Sequence, residues 1–448
     1  MLIEIADVGQ TQTTADMCHN ITVRELLANT QLDCGIHVDD DQLTMNNPIK
    51  ASETLGSIKY EIRGQLANRA HDLEKQGYEI ISLNIGNPGL FGFRTPETMR
   101  LAIIENLHQA EAYSHQKGIF PAREAVVLQQ QDRGVMGVSA DEVFIGNGVS
   151  ELIDISLRAM LNSGDEVLVP CPDYPLWSAS VALNGGTVRY YDCNAENGFS
   201  ADPEQMASLI SPKTKAIVII NPNNPTGAVY SEDTLRAIVA LAEEHKLVIL
   251  ADEIYDQITY DEARFIPIAT LVKDAVCLTF SGLSKVYRAC GYRVGWCVFS
   301  GDLERADELL HGMELLASLR LCSNVPGQSA VQTALGGFQS IAGLVSPGGR
   351  LYKSRQTVID RVAASDFLSV QAPAGAIYAF IKLEGRLAEQ LGDQSFAQRL
   401  LEEEHVLVAP GSSFNTPYTD HFRITILPSS DTLHRVFDRI EHFWSMIH

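Results

Sequence analysis

Apolar positions along the chain form short strings that alternate with amphipathic, helix-like segments. Seven of these strings have the length and the β-branched content of strands, and turn residues bound them. They are residues 142–146, 166–170, 188–191, 216–221, 247–252, 276–280 and 296–299. Residues 216–220 and 247–250 are apolar at consecutive positions, which is typical of central parallel strands covered by helices on both faces. The pattern predicts a large α/β domain in this part of the chain.

Helical patterns precede this region. Residues 58–77 predict a helix that stops at Gly77. Residues 95–107 predict a second helix, with Thr95 as its N-cap and Pro96 at its first position.

The region after residue 338 has a mixed pattern. Helical strings alternate with strand-like ones, which is typical of a smaller α+β domain. The predicted helices are 348–364 and 431–447, and the predicted strands are 376–383, 405–410 and 422–427.

These patterns divide the chain into four segments. A length of 448 residues is too great for one ordinary hydrophobic core. Residues 1–50 are polar and acidic and predict an N-terminal extension. We predict that residues 51–94 begin the small domain, that 95–338 form the large domain and that 339–448 complete the small domain.

Composition excludes several classes of function. With 34 Lys and Arg against 56 Asp and Glu, the formal charge is -22, so a nucleic-acid or membrane-surface partner is not expected. The N-terminus has no secretory pattern, and no apolar run approaches the ~20 residues of a membrane helix. The eight cysteines are scattered without metal-ligand spacing, so we predict no metal site, free thiols and a cytoplasmic location.

Two motifs follow predicted strands in the first half of the large domain. Gly146-Asn147-Gly148 stands between a strand and a helix, where backbone N–H groups can bind a phosphate. By itself this signal is weak, and an ordinary turn explains it as well. Glu151 stands where a dinucleotide fingerprint requires its third glycine, which disfavours a dehydrogenase. The second motif, residues 221–227, is a rigid loop in which Asn224 can offer an amide to an oxyanion.

Two further motifs carry charged side chains. Asp252 ends a predicted strand, and its carboxylate could bind a metal, a ribose or a protonated ring nitrogen. Binding a nucleotide-bound metal would require an upstream phosphate loop, which the chain lacks. In the stretch 281–296, Ser284, Lys285 and Arg293 stand among glycines, which is typical of a phosphate-binding loop.

The order of these four motifs resembles the fold-type-I aminotransferases of class I and II. The likeness spans about residues 57–445 and is nearest to the bacterial glutamate–pyruvate (alanine) aminotransferases. Further strings support it, namely residues 83–93, 172–177, 320–328 and 420–428. It implies an α/β fold with a large, mostly parallel, seven-stranded α/β/α domain and a smaller α+β domain.

The resemblance also implies pyridoxal 5'-phosphate as cofactor. Lys285 would carry it as a Schiff base and would move a proton during the reaction. Asp252 would face the pyridine nitrogen and keep it protonated. Tyr255 and Asn224 would hydrogen-bond the phenolate oxygen, and Tyr174 would stack on the ring.

The phosphate group would have a separate set of ligands. These are Gly148, Val149, Ser150, Ser284 and Arg293. Many relatives carry a serine three residues before the lysine, where this chain has Gly282. Ser281 therefore remains an alternative to Ser284.

The substrate carboxylate would be bound by Arg423, with the backbone of Gly86 close to it. Arg423 alternates with apolar neighbours, so its side chain is expected on the opposite face of the strand. Arg320 is a candidate for a distal carboxylate. Tyr113 resembles the tyrosine that reaches the phosphate from a second subunit, which implies a homodimer.

The resemblance implies ping-pong transamination between L-alanine and 2-oxoglutarate, with pyruvate and L-glutamate as products. The amino donor could also be valine or another small apolar amino acid. The same lysine and aspartate would serve a β-lyase or a synthase. A transcription regulator with an aminotransferase-like domain would need a helix-turn-helix, for which residues 1–50 are too short and too acidic.

Overall fold

The computed structural model describes residues 49–58 and 64–447. The predicted extension lies outside the described residues except for its last two positions, and residues 59–63 of the first predicted helix also lie outside them. Residues 53–448 form one compact unit. The domain boundaries at residues 50, 94 and 338 stay predictions.

The described residues contain strands in the order that the sequence predicts. They are β1 (Ile81–Ser82), β2 (Val143–Gly146), β3 (Glu166–Cys171), β4 (Thr187–Asp192), β5 (Thr214–Ile220), β6 (Val248–Asp252), β7 (Val276–Gly282), β8 (Gly295–Gly301), β9 (Leu368–Val370), β10 (Tyr378–Leu383), β11 (Val406–Leu407), β12 (Ala409–Pro410) and β13 (His421–Thr425).

The α-helices of the described residues cover the sheets and connect the strands. They are α1 (Gln65–Lys75), α2 (Glu97–Asn106), α3 (Phe120–Asp132), α4 (Val149–Met160), α5 (Leu176–Leu183), α6 (Pro203–Leu209), α7 (Glu232–Glu244), α8 (Leu303–Leu319), α9 (Val325–Gln328), α10 (Val331–Gly336), α11 (Ala342–Val345), α12 (Arg350–Ala363), α13 (Arg386–Leu391), α14 (Asp393–Glu404) and α15 (Ser430–Ile447).

The seven strands predicted for the large domain form one sheet in the order β2-β8-β7-β6-β5-β3-β4. Strand β8 is antiparallel to both of its neighbours, and the other pairs are parallel. All strands except β8 therefore run in one direction, and their C-terminal ends meet at one edge. This confirms the predicted α/β fold with a mostly parallel, seven-stranded sheet.

The central strands are buried on both faces. In β5, Ile217 and Ile219 pack in one hydrophobic cluster, while Val218 and Ile220 pack in a second cluster. Successive side chains of a strand point to opposite faces, so the two clusters lie on opposite sides of the sheet. This double burial explains why β5 is apolar at consecutive positions.

The smaller domain predicted from the C-terminal pattern has an antiparallel sheet in the order β12-β13-β10-β9. In its centre, Phe380 of β10 lies opposite Arg423 of β13. Strand β1 pairs in parallel with β11, where Ile81 lies opposite Val406. An early segment of the chain is thus joined to the C-terminal region.

The structure confirms the predicted stop of the first helix, because α1 ends at Lys75 and Gly77 follows with φ of +99°. The predicted N-cap at Thr95 is wrong. Pro96 occupies the cap position of α2, and the Thr95 hydroxyl donates to the carbonyl of Arg288 at 3.1 Å. A tertiary contact thus replaces the local one. None of the helices in the described part of the chain has both the length and the apolarity to cross a membrane.

Candidate active site

A cavity of about 670 Å³ opens at the edge where the parallel strands of the large sheet end. This is the position at which open α/β sheets bind ligands, because the loops after the strands converge there. Its walls include most of the residues that the sequence predicted for the site. These are Gly86, Val149, Ser150, Tyr174, Asn224, Asp252, Tyr255, Ser284, Lys285, Arg293 and Arg423.

The turn between β2 and α4 forms one end of the cavity. Gly148 has φ of +85°, and a Cβ atom there would collide with the guanidinium of Arg293. Only glycine fits this position, so the turn brings Arg293 against the first residues of α4. Val149 and Ser150, the first two residues of that helix, line the cavity. A helix N-terminus beside a guanidinium attracts an anion.

Arg293 lies at the exposed rim of this end. Its two terminal nitrogens donate to the carbonyls of Cys290 at 3.0 Å and Asn147 at 3.2 Å. Ser284 lines the cavity, whereas Ser281 is buried within β7 and is not part of the wall. Of the two serines left open by the sequence, Ser284 is therefore the one placed to contact a ligand.

Lys285 follows β7 by three residues and points into the cavity. Its Nζ donates to the carbonyl of Gly86 at 2.6 Å. Gly86 is itself closely packed, because a Cβ atom there would collide with the hydroxyl of Tyr378. The amine is thus held at a defined point by a backbone group from a segment distant in sequence.

Asp252 ends β6 in the wall of the cavity and is almost fully buried. Its carboxylate accepts hydrogen bonds from the indole of Trp177 at 3.1 Å and from the backbone N–H of Ile254 at 3.3 Å. Burial raises the pKa of Asp252 to about 6, although these hydrogen bonds and the charge of Lys285 oppose the shift. A cationic ligand group beside Asp252 would stabilise the carboxylate.

Arg423 lies in the wall of the same cavity and belongs to strand β13 of the C-terminal sheet. Its guanidinium donates to the side chain of Asn224 at 2.8 Å and to the carbonyl of Asn84. It packs between the rings of Tyr378, at 4.2 Å, and Phe414, at 4.6 Å. This buried cation is fixed in orientation, which suits bidentate binding of a carboxylate.

The residues present fit pyridoxal phosphate. The cradle of Gly148, α4 and Arg293 suits its phosphate group, and the buried carboxylate of Asp252 suits a protonated pyridine nitrogen. Lys285 offers the amine that an aldehyde requires. The cradle follows the C-terminal end of β2 and the carboxylate stands at the C-terminal end of β6, at the same edge of one sheet.

Two residues proposed from the sequence lie elsewhere in the described chain. Tyr113 is outside the cavity wall of its own chain and is 78% exposed. Arg320, the candidate for binding a distal carboxylate, is not part of the cavity wall. It donates to the carbonyls of Gln116 and Ile145, and its Nε lies 3.2 Å from Glu151. Because the carboxylate of Glu151 also accepts from Asn147, Arg320 supports the turn between β2 and α4 through Glu151.

Tyr378 is a residue of the cavity wall that the sequence motifs did not predict. This residue is buried and accepts a hydrogen bond from the Tyr255 hydroxyl at 3.3 Å. Phe380 lies directly opposite Arg423 in the sheet, so Tyr378, two residues earlier, shares its face and is a diagonal neighbour of Arg423. The register of β10 on β13 would have identified it, but the sequence alone does not give that register.

Glu253, the residue after Asp252, is a buried carboxyl group that does not face the cavity. It is 2% exposed and accepts from the backbone N–H of Ile268 at 3.1 Å. Burial raises the pKa of Glu253 to about 8, although the nearby Arg133 opposes the shift. The folded protein thus binds a proton at Glu253 that the unfolded chain releases above a pH of about 4.5.

Replacing Glu253 by glutamine should make the stability of the protein less dependent on pH. In the native protein, the raised pKa of Glu253 contributes to the free energy of unfolding. This contribution is fully present below a pH of about 4.5 and is lost as the pH rises to about 8. As the pH rises from about 5 to about 9, the free energy of unfolding of Glu253→Gln should increase by roughly 1–3 kcal/mol relative to that of the native protein. Urea unfolding at the two pH values measures this difference.

Glu124→Gln is the matched control, because Glu124 is exposed on α3. The free energy of unfolding of Glu124→Gln should change between the two pH values by the same amount as that of the native protein. Parallel pH profiles for Glu253→Gln and the native protein would show that Glu253 is already ionised at neutral pH.

Comparisons with known proteins agree with this geometry. The chain matches the family of aminotransferases of class I and II over residues 78–440. It is 44% identical to the glutamate-pyruvate aminotransferase AlaA of Escherichia coli strain K12, over 90% of this chain and 99% of that protein. It is 46% identical to an alanine aminotransferase of Mycobacterium tuberculosis strain H37Rv, over 88% of this chain and 92% of that protein.

Solved structures give the same result. The crystal structure of an aminotransferase from Escherichia coli matches with a TM-score of 0.87 and 45% identity, over 89% of this chain and 98% of that chain. Alanine aminotransferase from Pyrococcus furiosus matches with a TM-score of 0.84 and 33% identity, over 89% of this chain and all of that chain. The fold, the cavity and these matches together show that the chain belongs to the family of class I and II aminotransferases.

Proposed function

We propose that this enzyme transfers the amino group of L-alanine to 2-oxoglutarate and so produces pyruvate and L-glutamate. The observation that carries the proposal is the placement of the Lys285 amine in one cavity with the buried carboxylate of Asp252 and the buried guanidinium of Arg423. Members of this family use pyridoxal phosphate, and it is the cofactor of this chain. The names of two relatives, a glutamate-pyruvate and an alanine aminotransferase, support the choice of substrates.

When bound, pyridoxal phosphate supplies an electrophilic carbonyl and a ring that accepts the electron pair released from the Cα–H bond of the substrate. Asp252 holds a proton at the pyridine nitrogen and so maintains the positive charge of the ring. Lys285 acts as the nucleophile toward the carbonyl. Once free, its Nζ would take the proton from the substrate Cα and would deliver it to C4′, the cofactor carbon that carried the carbonyl oxygen.

The substrate carboxylate is bound by Arg423. Asn224 orients the guanidinium through the 2.8 Å hydrogen bond, and the rings on either side restrict its rotation. The absence of a side chain at Gly86 lets the Tyr378 hydroxyl pack against the backbone there, and Gly86 lines the cavity near the carboxylate. The two half-reactions of a ping-pong cycle use the same arginine, because both the amino acid and the 2-oxo acid carry this carboxylate.

The remaining wall residues hold the cofactor. Gly148, Val149, Ser150, Ser284 and Arg293 bind its phosphate. Tyr174 stacks on the ring, as aromatic side chains do with planar ligands. Tyr255 donates to the phenolate oxygen, and Asn224 contributes a second hydrogen bond there.

The enzyme is proposed to be a cytoplasmic homodimer in which Tyr113 reaches the phosphate of the partner subunit. The 78% exposure of Tyr113, outside the cavity of its own chain, supports this arrangement. Further exposed apolar side chains on α2 and α8 support a covered surface. They include Leu101, Ile104, Leu315 and Leu319. Cysteines in the described residues are free thiols, which supports a reducing compartment.

The test is an absorbance spectrum of the protein loaded with pyridoxal phosphate. We expect the visible band of the Lys285-bound cofactor to disappear when L-alanine is added and to return when 2-oxoglutarate follows, while pyruvate and L-glutamate form in equal amounts. Light scattering on the same sample should give the mass of two chains.

Several outcomes would contradict the proposal. A band that L-valine discharges and L-alanine leaves unchanged would assign a different amino donor. Release of pyruvate and ammonia from L-cysteine, which carries a leaving group on Cβ, without formation of L-glutamate would indicate a β-lyase. If no band forms, Lys285 does not carry the cofactor.

A further inference from the structure

Tyr378 lines the cavity and contacts groups with different proposed roles. Its hydroxyl packs directly against Gly86, where any Cβ atom would collide with it. Because the Lys285 amine donates to the Gly86 carbonyl at 2.6 Å, the phenol and the amine meet at the same residue. Tyr378 is 3% exposed, so bulk water does not compete for these contacts.

The second contact of Tyr378 is with Tyr255. The Tyr255 hydroxyl donates to the Tyr378 oxygen at 3.3 Å, and the two rings meet edge to face with centroids 6.0 Å apart. A phenol has a single proton to donate. When Tyr255 donates that proton to the phenolate oxygen of the cofactor, its own oxygen becomes the acceptor for the Tyr378 hydroxyl.

The third contact is with Arg423. The guanidinium carbon lies 4.2 Å from the centre of the Tyr378 ring, and both residues project from the same face of the C-terminal sheet. A cation at this distance from an aromatic ring interacts with it directly. Tyr378 therefore contacts both the carboxylate-binding residue and the residue assigned to the cofactor oxygen.

The charges around Tyr378 make its hydroxyl sensitive to the substrate. Burial alone would raise the pKa of Tyr378, but the positive charges of Lys285 and Arg423 and the hydrogen bond from Tyr255 outweigh it and lower the pKa. The nearby Cys290 thiol opposes this lowering. A carboxylate bound to Arg423 neutralises one of the two cations and makes Tyr378 a weaker hydrogen-bond donor.

We propose that Tyr378 is a positioning residue that adjusts the hydrogen bond of Tyr255 to the cofactor according to whether Arg423 holds a carboxylate. This inference rests on the proposed function. A bound carboxylate weakens donation from Tyr378 to Tyr255, and Tyr255 then donates less strongly to the cofactor oxygen. The nitrogen of the Lys285-bound cofactor keeps its proton to a higher pH as a result, so the substrate itself prepares the group with which it reacts.

The experiment titrates the visible band of the holoenzyme against pH, with and without propionate. Propionate has a carboxylate but no amino group, so it occupies Arg423 without reacting. In the native enzyme it should raise the midpoint of the titration. In Tyr378→Phe that rise should be smaller by roughly 0.4–1 pH unit, the size of one lost neutral hydrogen bond.

One further variant, Tyr378→Leu, separates the role of the Tyr378 hydroxyl from that of its ring. Tyr378→Phe keeps the ring, so the Kd for propionate should change by less than about threefold, whereas Tyr378→Leu should raise it roughly 3- to 10-fold. The apoenzyme provides an independent measurement, because a given concentration of propionate should raise the melting temperature of Tyr378→Phe more than that of Tyr378→Leu.

Tyr191→Phe is the matched control. Tyr191 is fully buried in β4, and its hydroxyl donates to the Val218 carbonyl at 2.7 Å, away from the cavity. This variant loses a buried tyrosine hydroxyl but should keep the native response to propionate. In Tyr255→Phe, adding Tyr378→Phe should cause no further change, because the relay is already broken.

The proposal is overturned if propionate shifts the midpoint equally in Tyr378→Phe and in the native enzyme. It is also overturned if the effects of Tyr255→Phe and Tyr378→Phe simply add. These results differ from failure of the proposed function, in which no visible band forms in the native protein at all.

Discussion

Replacing Lys285 by alanine should abolish transamination, with a loss of at least ~10⁴-fold in rate, because one side chain supplies both the nucleophile and the proton carrier. The structure holds its amine 2.6 Å from the Gly86 carbonyl, inside the cavity. The visible band of the bound cofactor should disappear together with the activity.

Lys285→Arg is the matched variant. It keeps the positive charge beside Tyr378 and Asp252, but a guanidinium does not lose its proton and cannot act as the nucleophile. It should be as inactive as the alanine variant while remaining folded. In the native holoenzyme, borohydride reduction fixes the cofactor to the lysine that carries it. Mass spectrometry should then find the cofactor on Lys285 and not on Lys117, a buried lysine that lies 2.9 Å from Glu314. A label on any other lysine would contradict the assignment.

The second largest loss is expected for Asp252→Asn. The asparagine oxygen can still accept from Trp177, so the fold should persist, but the negative charge beside the pyridine nitrogen is lost. Leaving a buried cation without its partner costs about 3–5 kcal/mol, which corresponds to a rate loss of roughly 10²–10⁴-fold. Single-turnover kinetics with L-alanine would measure this loss directly.

Glu253→Gln is the control for the loss of a buried carboxyl group. Glu253 directly follows the end of β6 and is equally buried, but it points away from the cavity. Replacing its carboxyl group should leave the rate with L-alanine within about twofold of the native value. If both variants lost the same activity, a general effect on folding rather than the charge at the pyridine nitrogen would explain the loss.

The large sheet was predictable because its strands are buried on both faces. In β5, consecutive apolar residues have neighbours in two separate clusters, so the sequence carries a signal that a half-exposed strand lacks. The N-cap at Thr95 was not predictable in the same way. Its hydroxyl bonds to Arg288, which is 193 residues away, and no local pattern encodes such a contact.

The site was predictable where its residues follow the ends of strands. Asn224, Asp252 and Lys285 converge because parallel strands bring their C-terminal ends to one edge. Tyr378 comes from the other sheet and reaches the cavity through the register between β10 and β13. The prediction for Arg320 failed because its guanidinium is already engaged by two carbonyls and Glu151.

The hydrogen bond from Arg423 to Asn84 spans 339 positions of the chain, and that from Lys285 to Gly86 spans 199. A ribosome adds roughly 5–20 residues per second, and Arg423 lies far beyond Gly301, where the last strand of the large sheet ends. The nascent chain can therefore assemble much of the large sheet before Arg423 exists. A partial pocket can form on the ribosome at that stage, but the complete cavity, whose wall includes Arg423, arises only after Arg423 has been made.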